Sequence, residues 1–161
     1  MTLRATRHLT SVFLVHQGSV LLLYRRGSRA IADSWVGIGG HVEAGEFDDP
    51  AAAALRELHE EVGVANDHLD NFSLRYVAMR DTGTEVRTTY YFTADLLAES
   101  PVPTECAEGD LRWFELTMDP ASLEMPPTAA VAFAHWLAQG RHDQQLRLIM
   151  IDAAGNVTGP F

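Results

Sequence analysis

Short apolar runs separated by turn residues mark out the elements of this chain. "HLTSVFLVH" and "SVLLLYRR" are rich in β-branched and aliphatic residues, and only Gln17-Gly18 parts them, which predicts two strands joined by a hairpin. "FSLRYVAMRD" and "EVRTTYYFTADLL" predict a second strand pair around "TGT", and "LRWFEL" a further short strand. The pattern changes in "PAAAALRELHEEV". Asp48 or Asp49 can cap this stretch, Pro50 suits a first helical turn and Gly63 suits the stop, so a helix is predicted over 50–62. "PPTAAVAFAHWLAQG" predicts a second helix, opened by prolines and stopped at Gly140. "GSRAIADSWVGIGGHVEAGEFDD" reads as a glycine-dense loop with a short strand near Ile38 to Val42, and "QQLRLIMIDAAGNV" as a closing strand and turn. Strands interleaved with two separated helices predict an α/β sandwich with a mixed sheet.

Composition narrows the function classes. The 161 residues suit a single domain over 1–161, with ordinary soluble proportions of 47% hydrophobic and 21% charged residues. Twenty-two acids against 12 bases give a net charge of −10, so a nucleic acid or an acidic membrane would be repelled and neither is expected as a partner. A polyphosphate ligand would need a local basic patch or a bridging cation. Cys106 is the one cysteine, which rules out an intrachain disulfide, fits a reducing cytoplasm, and is read as an inert thiol. The N-terminal apolar runs are too short for a membrane span and lack a cleavage pattern.

One helix carries an oddity. On a wheel of about 100° per residue, Glu57, Glu60 and Glu61 fall within an arc of roughly 100°. Ala51, Leu55, Leu58 and Val62 fall on the opposite arc, so the acids are expected to cluster on the side away from a core. Like charges at this spacing repel. Arg56 is the only base on the helix, and the loop "GIGGHVEAGE" runs into the same region and ends at Glu46. Hard divalent cations seek carboxylate, carbonyl and water oxygens, so the cluster reads as a metal site more readily than as a solvated face. Other motifs fail: "HEEVG" lacks the second histidine of a zinc protease helix, and "GIGG" has neither the dinucleotide nor the P-loop spacing.

"GHVEAGEFDDPAAAALRELHEEVGV" resembles the Nudix box, G-x5-E-x7-R-E-U-x-E-E-x-G-U, with U a bulky aliphatic residue. Gly40, Glu46, Arg56, Glu57, Leu58, Glu60, Glu61, Gly63 and Val64 match in order. Nine residues rather than seven separate Glu46 from Arg56, the extra pair falling in "FDDP" before the helix. The flanks "VLLLYRR", "SWVGIGGHVE" and "DLRWFEL" are similar to MutT-type members. The resemblance implies a Nudix-type α/β/α sandwich with a mixed central sheet, and a hydrolase using Mg2+ or Mn2+ to cleave the diphosphate linkage of a nucleoside di- or triphosphate derivative. It implies Glu60 and Glu61 as metal ligands with the Gly39 carbonyl, Glu57 as ligand or general base, Arg56 as the group holding Glu57, and Glu46 as a nearby ligand, structural partner or substrate contact.

The family often recruits a further acid from outside the box. Glu105 is the first choice here, ahead of Glu108 and Asp110. Arg25 and Arg26 are candidates for phosphate oxygens, only one of them on a given face. Trp35 is a candidate for stacking on a base. Members specific for oxidised purines have W-N-G where this chain has Val36, and an acidic pair where it has "EMPPT", so that specificity does not carry over. The alternatives are a hydrolase of a nucleotide sugar or dinucleoside polyphosphate, and a catalytically silent Nudix domain that binds a nucleotide. Homodimers are common in the family.

Overall fold

A computed structural model describes residues 3–29 and 31–161. Eight strands, Ala5–His16 (β1), Ser19–Arg25 (β2), Ser34–Val36 (β3), Leu69–Asp81 (β4), Glu85–Leu96 (β5), Gly109–Glu115 (β6), Arg147–Ile151 (β7) and Val157–Thr158 (β8), form one sheet. Its order is β3-β2-β1-β5-β4-β7-β8, with β6 on the other edge of β2. β1 runs parallel to β5 and β4 parallel to β7, and the remaining pairs are antiparallel, so the expected mixed sheet is present.

The β1–β2 hairpin forms at Gln17-Gly18. Both residues have positive φ, 47° and 77°, the twist that a two-residue turn needs to match its strands. Helices Pro50–Val62 (α1) and Pro127–Ala138 (α2) pack on opposite faces of the sheet. Val12, Leu14, Leu21, Leu23, Phe92 and Leu58 fill the α1 side, while Phe13, Leu22, Tyr76, Tyr91, Phe133 and Trp136 fill the α2 side. α1 begins where its sequence predicts: Asp49 accepts a hydrogen bond from the Ala52 amide at 3.0 Å, Pro50 opens the first turn and Gly63 closes it at φ 70°. Among the described residues no helix is long and apolar enough to cross a membrane.

Two expectations need correction. The short strand in the glycine loop lies at Ser34–Val36, against β2, rather than near Ile38 to Val42. The later stretch still follows β1, through hydrogen bonds between Val12 and Ile38 in both directions and from Thr10 N to Gly40 O. Glycines without side chains let it press so close that a Cβ on Gly39 would lie 2.0 Å from the Thr10 carbonyl, too tight for a regular strand.

The second correction concerns the acids. Leu58 is fully buried and Ala51 and Val62 pack partly buried against the same core, as expected, but Ala53 and Ala54 are fully buried too, and Leu55 stays half-exposed outside that core. On the wheel Glu57 and Glu61 fall between Ala53 and Leu58, about 40° and 80° from Ala53. The helix therefore rests on its small residues, and two of its carboxylates are drawn towards the sheet.

Candidate active site

Arg56 organises the acidic side of α1. Its Nε and Nη2 donate to both oxygens of Glu46 at 2.7 and 3.0 Å, and its Nη1 donates to Glu57 at 3.0 Å and Glu60 at 3.1 Å. Nη2 also donates to the His41 carbonyl at 3.0 Å, which ties the helix to the glycine loop. A planar guanidinium suits this task because its donors fork at fixed angles. The two-residue insertion before α1 leaves the Glu46–Arg56 contact intact. Glu46 is held by Arg56 and by the Glu43 amide, which also keep its carboxyl below the ordinary carboxylate range. In this position it anchors Arg56.

Glu57 and Glu61 are the inward acids. The Glu57 side chain is 13% exposed, against 57% for Glu60. Its carboxylate lies directly over Gly40, where a Cβ would come within 2.6–2.8 Å of it. Burial raises the Glu57 carboxyl above its ordinary value, and the Arg56 guanidinium only partly offsets this. Glu61 goes further. Burial, then the neighbouring Glu108 carboxylate and a hydrogen bond to it, then Glu57, push its carboxyl up to about 8 against the pull of Arg25. Its Oε2 is buried with no hydrogen-bond partner. A desolvated acceptor of this kind is costly and calls for a proton or a cation.

Glu108, on the loop before β6, is thus the acid outside α1 that reaches Glu61. Glu105, preferred from sequence, is exposed and lines one groove with Glu61, Cys106 and Ala107. Asp110 points elsewhere, paired with Arg26. Burial also pushes the Cys106 thiol up, which keeps it protonated and poorly nucleophilic.

A cleft opens beside the acids on the α2 face of the sheet. Gly39, Gly40, Arg25, Val36 and Tyr91 line it. Arg25 donates to Glu108 at 2.9 Å, while Arg26 turns outward over the Tyr24 ring to Asp110. Trp35, expected as a stacking platform, is instead wedged against Phe114 and Tyr24, with ring centroids at 4.9 and 5.1 Å, and does not line the cleft. Of the sequence candidates, Gly39 and Arg25 line the cleft, and Glu57 abuts its Gly40 wall. Glu61 and Glu105 line a neighbouring groove, Arg56 and Glu46 brace the acids, Glu60 is exposed, and Arg26 and Trp35 line neither opening.

The donors gathered here are all oxygens, which suits a hard cation. Ile38 and Gly40 direct their carbonyls at β1, so in this extended stretch the Gly39 carbonyl faces away from that strand. Among the described residues no three His, Cys, Asp or Glu side chains already converge on one point.

Comparison with known proteins agrees with this geometry. The "NUDIX domain" family matches residues 6–136. A curated relative from Danio rerio, "Oxidized purine nucleoside triphosphate hydrolase", is 34% identical over 116 residues, which cover 71% of this chain and 69% of that protein. A MutT protein from Bacillus halodurans superposes with a TM-score of 0.64 at 24% identity, covering 95% of both chains. A NUDIX hydrolase from Nitrosomonas europaea reaches 0.71 at 18% identity, over 94% of this chain and 81% of its own. These two structures speak for the fold alone, whereas the domain match spans most of the chain and contains every residue of the acidic constellation. The chain belongs to the Nudix family, as a MutT-like hydrolase of pyrophosphate bonds.

Proposed function

We propose that this protein is a divalent-metal-dependent pyrophosphohydrolase of nucleoside di- or triphosphate derivatives, using Mg2+ or Mn2+. The observation that carries the reading is the buried, unpartnered Glu61 Oε2, set beside Glu57 and Glu108 in a groove next to the cleft. An orphaned carboxylate oxygen among other oxygen donors fits a hard cation better than it fits any purely structural role. Glu57, Glu61 and the Gly39 carbonyl would hold the ion, with Glu60 at its exposed side and Glu108 in the place first assigned to Glu105. When bound, such an ion neutralises diphosphate oxygens and makes water a stronger nucleophile. The protein's own groups do the rest. Arg56 fixes the Glu57 rotamer, Glu46 fixes Arg56, and Arg25 is positioned to donate to a phosphate oxygen when the substrate displaces Glu108. Glu57, with its raised carboxyl, is suited to taking a proton from the attacking water.

The Danio rerio relative is named for oxidised purine triphosphates, but Val36 lines the cleft here and offers no hydrogen bond to a purine edge. The substrate class is therefore left at the diphosphate linkage. The test is release of phosphate or nucleoside monophosphate from a nucleotide panel with Mg2+ or Mn2+. Wild type turns over at least one member and EDTA abolishes it; hydrolysis indifferent to EDTA overturns the metal reading.

The glycine contacts give a second check. Gly40→Ala places a methyl against the Glu57 carboxylate, the movable end of a side chain, so the fold survives while hydrolysis falls by about 10–100-fold, as for the loss of an orienting partner. Gly39→Ala drives the same methyl into the β1 backbone, and melting temperature falls instead. Circular dichroism melts alongside rates separate the two outcomes.

A further inference from the structure

The far end of the cleft is built from arginine. β1, β5 and β4 lie side by side, with Arg7 in register with Arg87 and Arg87 in register with Arg80. Residues in register on neighbouring strands share a face, so three guanidinium groups leave the α2 side of the sheet in one row. Like charges directly opposite one another across a ladder are destabilising. Glu85 answers part of this charge, through Arg7 at 3.4 Å and a close contact with Arg87. Arg80 is half-buried, and its side chain has no ion pair or hydrogen bond among the described residues.

Arg80 and Arg87 line the same cleft as Gly39 and Gly40, and among the described residues no Asp or Glu lines it. Ser11 adds a buried Oγ without a partner on the same face. Arg7 and Arg29 flank the mouth with Arg25. Five of the chain's 12 basic residues therefore surround one cleft in a protein of net charge −10. Guanidinium offers only donors, so the occupant must bring acceptors, and a neutral ring would bury the Arg80 charge without compensation.

We propose that the Arg7–Arg87–Arg80 row is a second anion subsite, which takes a phosphoryl group carried by the substrate at the end remote from the scissile diphosphate. This rests on the hydrolase reading, in which the diphosphate lies where Gly40 and Arg25 bring the cleft up against Glu57 and Glu108. It narrows the substrate class to nucleotide derivatives with a separate phosphate.

Matched pairs test it: ADP with 3′-phospho-ADP, and UDP-glucose with its 6-phosphate on the glucose. Calorimetric titration in EDTA reads binding without turnover. Wild type binds the phosphorylated member of at least one pair about tenfold or more tightly, the worth of one charge-assisted hydrogen bond. Arg80→Met and Arg80→Gln bring that ratio towards one, and circular dichroism confirms that each variant folds. Equal affinity within both pairs, or a preference that survives both substitutions, overturns the proposal. Should neither variant fold, Arg7→Gln, at the more exposed end of the row, supplies the same comparison: the ratio falls towards one, and an unchanged ratio overturns the proposal. Since no metal or turnover enters, a wild type that hydrolyses nothing with Mg2+ yet keeps the preference refutes the hydrolase reading and supports the subsite. Turnover without the preference does the reverse.

Discussion

Glu61→Gln is expected to abolish hydrolysis while making the metal-free protein more stable above neutral pH. The first half follows from placing Glu61 on the ion. Loss of a direct ligand exceeds the roughly 10–100-fold cost typical of an outer partner. The second half follows from linkage. In the folded protein the Glu61 carboxyl is pushed from 4.5 up to about 8, so between those values the folded chain holds a proton that the unfolded chain has released. Stability then falls with rising pH: the contribution is whole below about pH 4.5 and is lost as pH climbs through about 8. Glu57 shifts in the same direction and adds to the slope. Glu46 shifts oppositely, but its effect is lost only as pH drops below the ordinary carboxylate range, outside this window. The total is on the order of a few kcal/mol. Thermal unfolding in EDTA from pH 5 to 9 should show a declining melting temperature for wild type and a flatter line for Glu61→Gln. Millimolar Mg2+ should restore the wild type at pH 8 and leave the variant unmoved. A flat wild-type profile in EDTA would remove the buried, protonated Glu61 from this account.

Much of the frame was legible before any coordinates. The α1 bounds follow from Asp49, Pro50 and Gly63, each of which acts on the backbone locally. The two long hairpins follow from strand-forming residues around Gln17-Gly18 and "TGT". What sequence misread had a common cause, since it depended on how closely elements approach. The wheel placed Leu58, Ala51 and Val62 on the core side, where they pack, but it also put Leu55 there and missed Ala53 and Ala54. Small residues let the helix close on the sheet, and Glu57 and Glu61 came inward with them. Trp35 has the chemistry of a base platform, but Tyr24 and Phe114 enclose it. Glu105 and Glu108 are chemically equivalent; the path of the loop leaves Glu105 in the groove that Glu61 lines and, with Arg25 beneath it, brings Glu108 into contact with Glu61. The arginine row was hidden most completely. Residues 7, 80 and 87 become neighbours through the β1–β5 and β5–β4 registers, which pair strands remote in sequence and which no local pattern encodes.

The largest stability effect is expected from Arg56→Met. A single guanidinium holds Glu46, Glu57, Glu60 and the His41 carbonyl. Glu46 first, and then Glu57, raise its own affinity for a proton above that of free arginine. Removing it leaves three carboxylates facing one another, two of them with side chains only 18% and 13% exposed. Breaking a buried ion pair by deleting one partner costs about 3–5 kcal/mol, and the partial exposure of this one lowers the expectation to roughly 2–4 kcal/mol. Hydrolysis should collapse as well, because Glu57 loses the contact that sets its rotamer and the glycine loop loses its tie to α1. Arg56→Lys keeps the charge but can satisfy only one or two acceptors at a time, so it should recover part of the stability and little of the activity. Glu46→Gln should cost less than either, since Arg56 keeps Glu57, Glu60 and His41. Chemical denaturation at pH 7 and at pH 4.5 separates this account from a simple packing defect. Acid protonates the stranded carboxylates, so the deficit of Arg56→Met relative to wild type should narrow at pH 4.5. A deficit of equal size at both pH values would mean that the aliphatic stem of Arg56, and not its charge, holds this corner together.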